Sequence, residues 1–137
     1  MSIIKSSLTR WQDIICTHLC VLDFICNEDA TYLVFTRSEK QGRQREILNF
    51  KHSVFSFRMT NHELMDPDIV QLISKITGGS LRGIFLMDNS EHIKHLAEIS
   101  EGMLDAEKSK HFIIVDENMF YEIIALAEPE ISLLEAN

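Results

Sequence analysis

The sequence predicts an α+β fold, mainly antiparallel sheet with two or three helices packed on it. Three observations lead there. Short β-branched and aromatic runs recur between polar turns, as in Thr31-Tyr32-Leu33-Val34-Phe35-Thr36 and His111-Phe112-Ile113-Ile114-Val115. Only two segments, near 67–77 and 91–104, carry a helical apolar stripe behind a capping residue. The strands come in runs rather than alternating regularly with helices, which favours α+β over a parallel α/β sheet.

The elements follow in order. The stretch from Leu8 suggests a helix or an irregular start. Ile14 to Cys26 fits a helix by its Ile15, Leu19, Leu22, Cys26 spacing, yet Val21-Leu22-Asp23-Phe24-Ile25 suits a strand, and a strand near 20–26 is expected. Asn27-Glu28-Asp29 signals a turn into the strand 31–36. A polar loop, 37–45, carries Arg37, Lys40, Arg43 and Arg45 and reads as a solvated hairpin loop. Glu46 to Lys51 and Val54 to Met59 then give one or two strands. In the latter, Phe55, Phe57 and Met59 alternate with Ser56 and Arg58, the period of a sheet with one wet face.

The first clear helix begins after Asp66, which can cap it, with Pro67 at the first helical position. Ile69, Val70, Ile73 and Ile76 form its stripe, and Gly78-Gly79 ends it. Gly83 to Met87 reads as a buried strand. Asp88 with Glu91 resembles a capping box opening the second helix. Its inner face is expected to hold Ile93, Leu96, Ala97, Met103 and Leu104. Glu91, His92, Lys94, His95, Glu98 and Glu101 are expected to point outward. After the strand 111–115, the polar turn Asp116-Glu117-Asn118 favours a hairpin with Phe120 to Ala125 over a short helix. The tail from Glu128, with Pro129 and Leu133-Leu134, is expected to dock as a turn of helix or to fray.

No repeat, low-complexity stretch or Pro/Gly-rich linker divides the chain, so residues 1–137 read as one globular domain. A chain of this length buries roughly two-thirds of its unfolded surface, enough to fold without disulfides or metals. Cys16, Cys20 and Cys26 are odd in number and sit among apolar residues, so buried reduced thiols are expected. Met1 to Arg10 has one short apolar pair, and the stretch 14–26 is too short and too interrupted to span a bilayer, so no leader is expected and the reading is cytoplasmic, with no membrane partner.

Charge is unevenly placed. Residues 1–62 hold eight Lys/Arg and six Asp/Glu, residues 63–137 five and fifteen, within a net charge of −8. That balance argues against a nucleic-acid partner. It favours a basic protein partner, and the candidate contact residues are Asp88, Glu91, Glu98, Glu101, Asp105, Glu107, Asp116, Glu117 and Glu122. No P-loop, G-x-G-x-x-G, H-E-x-x-H or G-x-S-x-G occurs. No catalytic residue, cofactor or metal is therefore assigned. His92-x-x-His95 could share a metal ion but lacks a visible third ligand. His52 with Lys51 and Arg58 could serve phosphate chemistry, but alternate positions on a strand explain them better as the wet face of a sheet.

The stretch Gly83-Ile84-Phe85-Leu86-Met87-Asp88-Asn89-Ser90-Glu91-His92-Ile93-Lys94 resembles a pattern in small bacterial immunity (antitoxin-type) proteins of toxin delivery systems. So do Ser100-Glu101-Gly102, His111-Phe112-Ile113-Ile114, and Glu122-Ile123-Ile124-Ala125 with Glu128-Pro129-Glu130. The resemblance implies a cytosolic inhibitor that binds a secreted toxin domain, often a basic nuclease, and has no activity of its own. It transfers no contact residue, because such contacts vary widely in these proteins. The alternatives are a metal-dependent or ribonuclease-like enzyme using surface histidines, and a homodimeric scaffold.

Overall fold

A computed structural model describes residues 7–14, 16, 18–37 and 44–134. In chain order the elements are β1 (Ser7–Arg10), β2 (Cys20–Cys26), β3 (Thr31–Thr36), β4 (Glu46–Lys51), β5 (Val54–Asn61), α1 (Pro67–Thr77), β6 (Gly83–Asp88), α2 (Glu91–Ile99), β7 (Lys110–Val115), β8 (Met119–Ala125) and β9 (Glu130–Leu133). The strands form two antiparallel sheets, a five-stranded one in the order β1-β6-β7-β8-β5 and a four-stranded one in the order β2-β3-β4-β9. The fold is α+β, mostly sheet with few helices, as the sequence predicts.

Period-two alternation stacks three layers. Along β6, β7 and β8, residues Ile84, Phe112, Ile114, Tyr121, Ile123 and Ala125 face the four-stranded sheet. There they meet Leu33, Phe35, Leu48 and Phe50. The alternate residues Phe85, Ile113, Val115 and Phe120 face the other way, against Leu8, Met65 and Ile73, the last of these from α1. Ile124 on that same face lies under α2, against Ile93 and Leu104. A strand covered on both faces is apolar at nearly every position, and β7 is buried from His111 to Val115, with His111 the one polar residue of that run.

Local signals place the helices. Asp66 Oδ1 accepts the Asp68 N–H at 2.9 Å, Pro67 opens α1, and Gly78 closes it at φ 75° with its N–H on Ser74 O. The cap of α2 is Ser90, not Asp88. Ser90 holds extended backbone angles immediately before the helix, and its Oγ accepts the Ile93 N–H at 3.2 Å. Asp88 instead ends β6, with Asn89 turning the chain at φ 55°.

Several expectations need correction. The start near Leu8 is a strand, because β1 supplies the partner for the outer edge of β6. A 3₁₀ turn at Trp11–Asp13 follows it. The tail is a strand too. β9 completes the four-stranded sheet by pairing with β4, and Ile131 packs on the core between the sheets. Met103 points to solvent, and only Leu104 of that pair is buried. Of the three cysteines, all free thiols, Cys16 is buried, Cys20 is half-buried and Cys26 is exposed. Burial pushes the Cys16 thiol up, an effect that nearby Arg37 opposes. The expected hairpin loop falls mostly outside the described residues, but Arg37 at its base holds Glu46 in a two-pronged ion pair at 2.7 and 3.1 Å.

Gly83 begins β6 at φ 154°, and a Cβ there would stand 2.8 Å from the buried ring of Phe85. Gly83→Ala is therefore expected to cost about 1–3 kcal/mol by strain and overpacking together, read from denaturant unfolding.

Candidate protein-binding surface

Two groups of polar residues frame α2, one buried beneath it and one exposed on it. The buried group is a row of four side chains from four elements or their caps. Ser90 Oγ lies 2.7 Å from His111 Nδ1, His111 Nε2 lies 3.2 Å from Glu122 Oε1, and Arg58 Nε donates to Glu122 Oε2 at 2.6 Å. An ionised carboxylate only accepts, so the Nε2 of His111 carries its proton, and in the neutral ring Nδ1 accepts from the Ser90 hydroxyl. Burial raises the Glu122 carboxyl. The hydrogen bonds from His111 and Arg58, with the Arg58 charge, outweigh burial and bring it down to about 2.

The order serine, histidine, carboxylate is that of a nucleophilic triad, but the chemistry available is different. Ser90, His111 and Glu122 are all buried, and the Ser90 oxygen already caps α2. The row fastens the start of α2 to β7, β8 and β5. His92 turns inward beside it, with ring centroids 5.9 Å from His111, contrary to the outward position expected. Burial, then the neighbouring Arg58 charge, lowers the His92 pKa. His95 stays exposed, so the two histidines do not share one outward face. Among the described residues no group of three or more His, Cys, Asp or Glu could hold a metal ion.

Of the residues considered for phosphate chemistry, Arg58 stands apart from Lys51 and His52. His52 is exposed in the β4–β5 turn, Lys51 pairs with Glu130 at 2.9 Å, and Arg58 is committed to Glu122. A cleft of about 300 Å³ opens beside that turn, lined by Cys26, Thr31, Lys51, His52 and Phe55 among others.

The nine expected carboxylates separate into two sets. Asp88, Glu91, Glu98, Glu101, Asp105 and Glu107 are exposed, on α2 or the segments flanking it. Glu91 pairs with Lys94 at 3.2 Å, and Asp105 Oδ1 accepts the Glu107 and Lys108 N–H groups in a turn. The other three do not join them. Glu122 is spent inside the row described above. Asp116 is buried too. Its carboxylate accepts Val21, Asn118 and Met119 N–H groups at 2.8–2.9 Å, tying the β7–β8 turn to β2. Glu117 is exposed and pairs with Arg82 at 3.2 Å. It lies at the far end of β7 from Lys110, the end next to Asp88.

Sequence reasoning missed what lies amid the exposed set. Ile99 is 63% exposed and Met103 is 84% exposed. Glu101 at φ 54° and Gly102 at φ 85° make the tight turn between them. The stripe Ile93-Leu96-Ala97 already fills the inner face of α2, which was the signal that Ile99 is surplus to the core.

Comparison with protein-family models, curated proteins and solved structures finds no match. No helix among the described residues is long and apolar enough to cross a membrane.

Proposed function

We propose that this chain is a protein-binding inhibitor of the immunity type, which engages a basic partner, such as a nuclease toxin domain, through the end of α2 and the turn after it. One observation carries this reading. Two large apolar side chains, Ile99 and Met103, stand in solvent on a short stretch of chain that also carries the exposed Glu98, Glu101, Asp105 and Glu107. Specific protein interfaces combine an apolar centre with a polar rim, and a rim of one sign selects a partner of the other and speeds its approach. An inhibitor of this kind works by occupying its partner and needs no reaction of its own.

The test is titration of the purified chain with a basic toxin domain encoded beside its gene, by calorimetry at low and high salt. The expected result is tight binding that weakens as salt rises. Glu98→Lys with Glu101→Lys should weaken it roughly tenfold or more, chiefly through slower association, and Met103→Ser chiefly through faster release. Binding unchanged by all three substitutions, or absent at low salt, would overturn the proposal.

A further inference from the structure

Both sheets have open edges among the described residues, and three of the four are blunted. β1 and β9 are four residues each. β2 is broken by a register shift between Val21 and Asp23 and carries the exposed Asp23 there. Short length, bulges and outward charge are the usual devices that stop edges from pairing. β5 too is irregular at one end, but it keeps the longest unbroken run of the four. Past an irregularity at Val54–Ser56 it runs in unbroken register from Ser56 to Asn61. It has neither proline nor lysine, and its one charge, Arg58, is committed to Glu122.

The face that β5 turns toward the second sheet is also incompletely covered. The sheet opposite ends at β2, whose Phe24 stacks on Tyr121 and touches Phe57 at 5.1 Å between centroids. Beyond that contact Phe55, Phe57 and Met59 remain 40%, 45% and 46% exposed.

We infer that β5 pairs antiparallel with β5 of a second copy of this chain, about a two-fold axis at Phe57. The sequence of the strand favours one register among those centred on Phe57, Arg58 and Met59. Opposite residues in an antiparallel pair share a face, so a symmetric pairing must centre on a residue. Centred on Arg58, it sets guanidinium against guanidinium, which is unfavourable. Centred on Met59, it sets Phe57 against Asn61. Centred on Phe57, it sets Phe57 against Phe57 on the apolar face and brings Met59 toward Phe55, which sits in the irregularity between Val54 and Ser56. On the other face Ser56 then lies opposite Arg58 of the second copy, with no like charges opposed. The run Phe55-Ser56-Phe57-Arg58-Met59 reads the same in both directions, apolar and polar in alternation. The two five-stranded sheets become one continuous sheet, and the two half-exposed apolar strips pack side by side across the axis. This inference is independent of the partner proposed for α2.

The experiment is sedimentation of the full chain over a range of concentrations, with two substitutions at the half-exposed Ser56. The parent should show twice the mass of a single chain as concentration rises. Ser56→Lys, placed against Arg58 of the second copy, should weaken association roughly tenfold, because symmetry repeats the repulsion. Ser56→Glu should strengthen it, and the difference between the two should shrink at high salt. Thermal melts at low concentration monitor the fold of each variant. A chain that stays single at every concentration overturns the inference. So does a dimer that Ser56→Lys and Ser56→Glu affect alike, or one that Met103→Ser dissociates instead.

Discussion

Glu122→Ala is expected to destabilise the protein by about 2–4 kcal/mol, because it leaves the buried His111 Nε2 without an acceptor and empties a buried site, while the half-exposed Arg58 can turn to water. Glu122→Gln should cost less, about 1–3 kcal/mol. Its amide can still accept from His111, and the half-exposed Arg58 can turn to water. The native carboxyl also makes stability depend on pH. It titrates near 2 when folded, against an ordinary 4.5. A depressed carboxyl stabilises the folded form fully above its unfolded value. That contribution, about 3 kcal/mol, fades as pH falls from 4.5 toward 2. Denaturant unfolding of parent and Glu122→Gln at neutral and acid pH checks this. The gap between them should close in acid, and a gap that persists would mean the loss is one of packing, not charge.

Glu122 also shows what the sequence made legible and what it did not. Elements announced by neighbouring residues were readable. β3 and β7 are dense in β-formers, and α1 carries its cap, its proline and its terminal glycines within the segment itself. Elements created by distant partners were not. β1 and β9 are short and ambiguous alone and become strands because β6 and β4 offer unpaired edges. The same division holds for charge. Glu122 and Asp116 look like surface acids in composition. Yet Glu122 meets an arginine 64 positions earlier, and Asp116 meets a backbone amide 95 positions earlier. A finer use of periodicity would have found Glu122, since it shares a face with Phe120 and Ile124 in a strand otherwise wholly apolar. The faces of β5 were assigned correctly in part. Arg58 does point away from the second sheet, but the expected dry side is left half in water because the sheet opposite stops short of it.

Phe112→Ala is expected to cost about 3–5 kcal/mol, and the reason lies in where the two sheets meet. Phe112 sits on β7, the middle strand of the five, and is wholly buried. Its ring receives Trp11 edge-on at 6.2 Å and Phe50 at 5.3 Å, one from the turn after β1 and the other from the opposite sheet. Truncation opens a cavity that neither neighbour can close, because Trp11 and Phe50 are themselves buried among Leu33, Leu48 and Ile123. Phe57→Ala removes the same atoms from a half-exposed edge and should cost only about 1 kcal/mol at concentrations where the chain is single. The ratio between the two is the informative quantity, since both changes share their effect on the unfolded chain. Measured by denaturant unfolding, a several-fold difference places the main driving force in the seam between the sheets. Near-equal losses would mean that the sheets are held by their edges, with Phe24 and Phe57 as the principal contact.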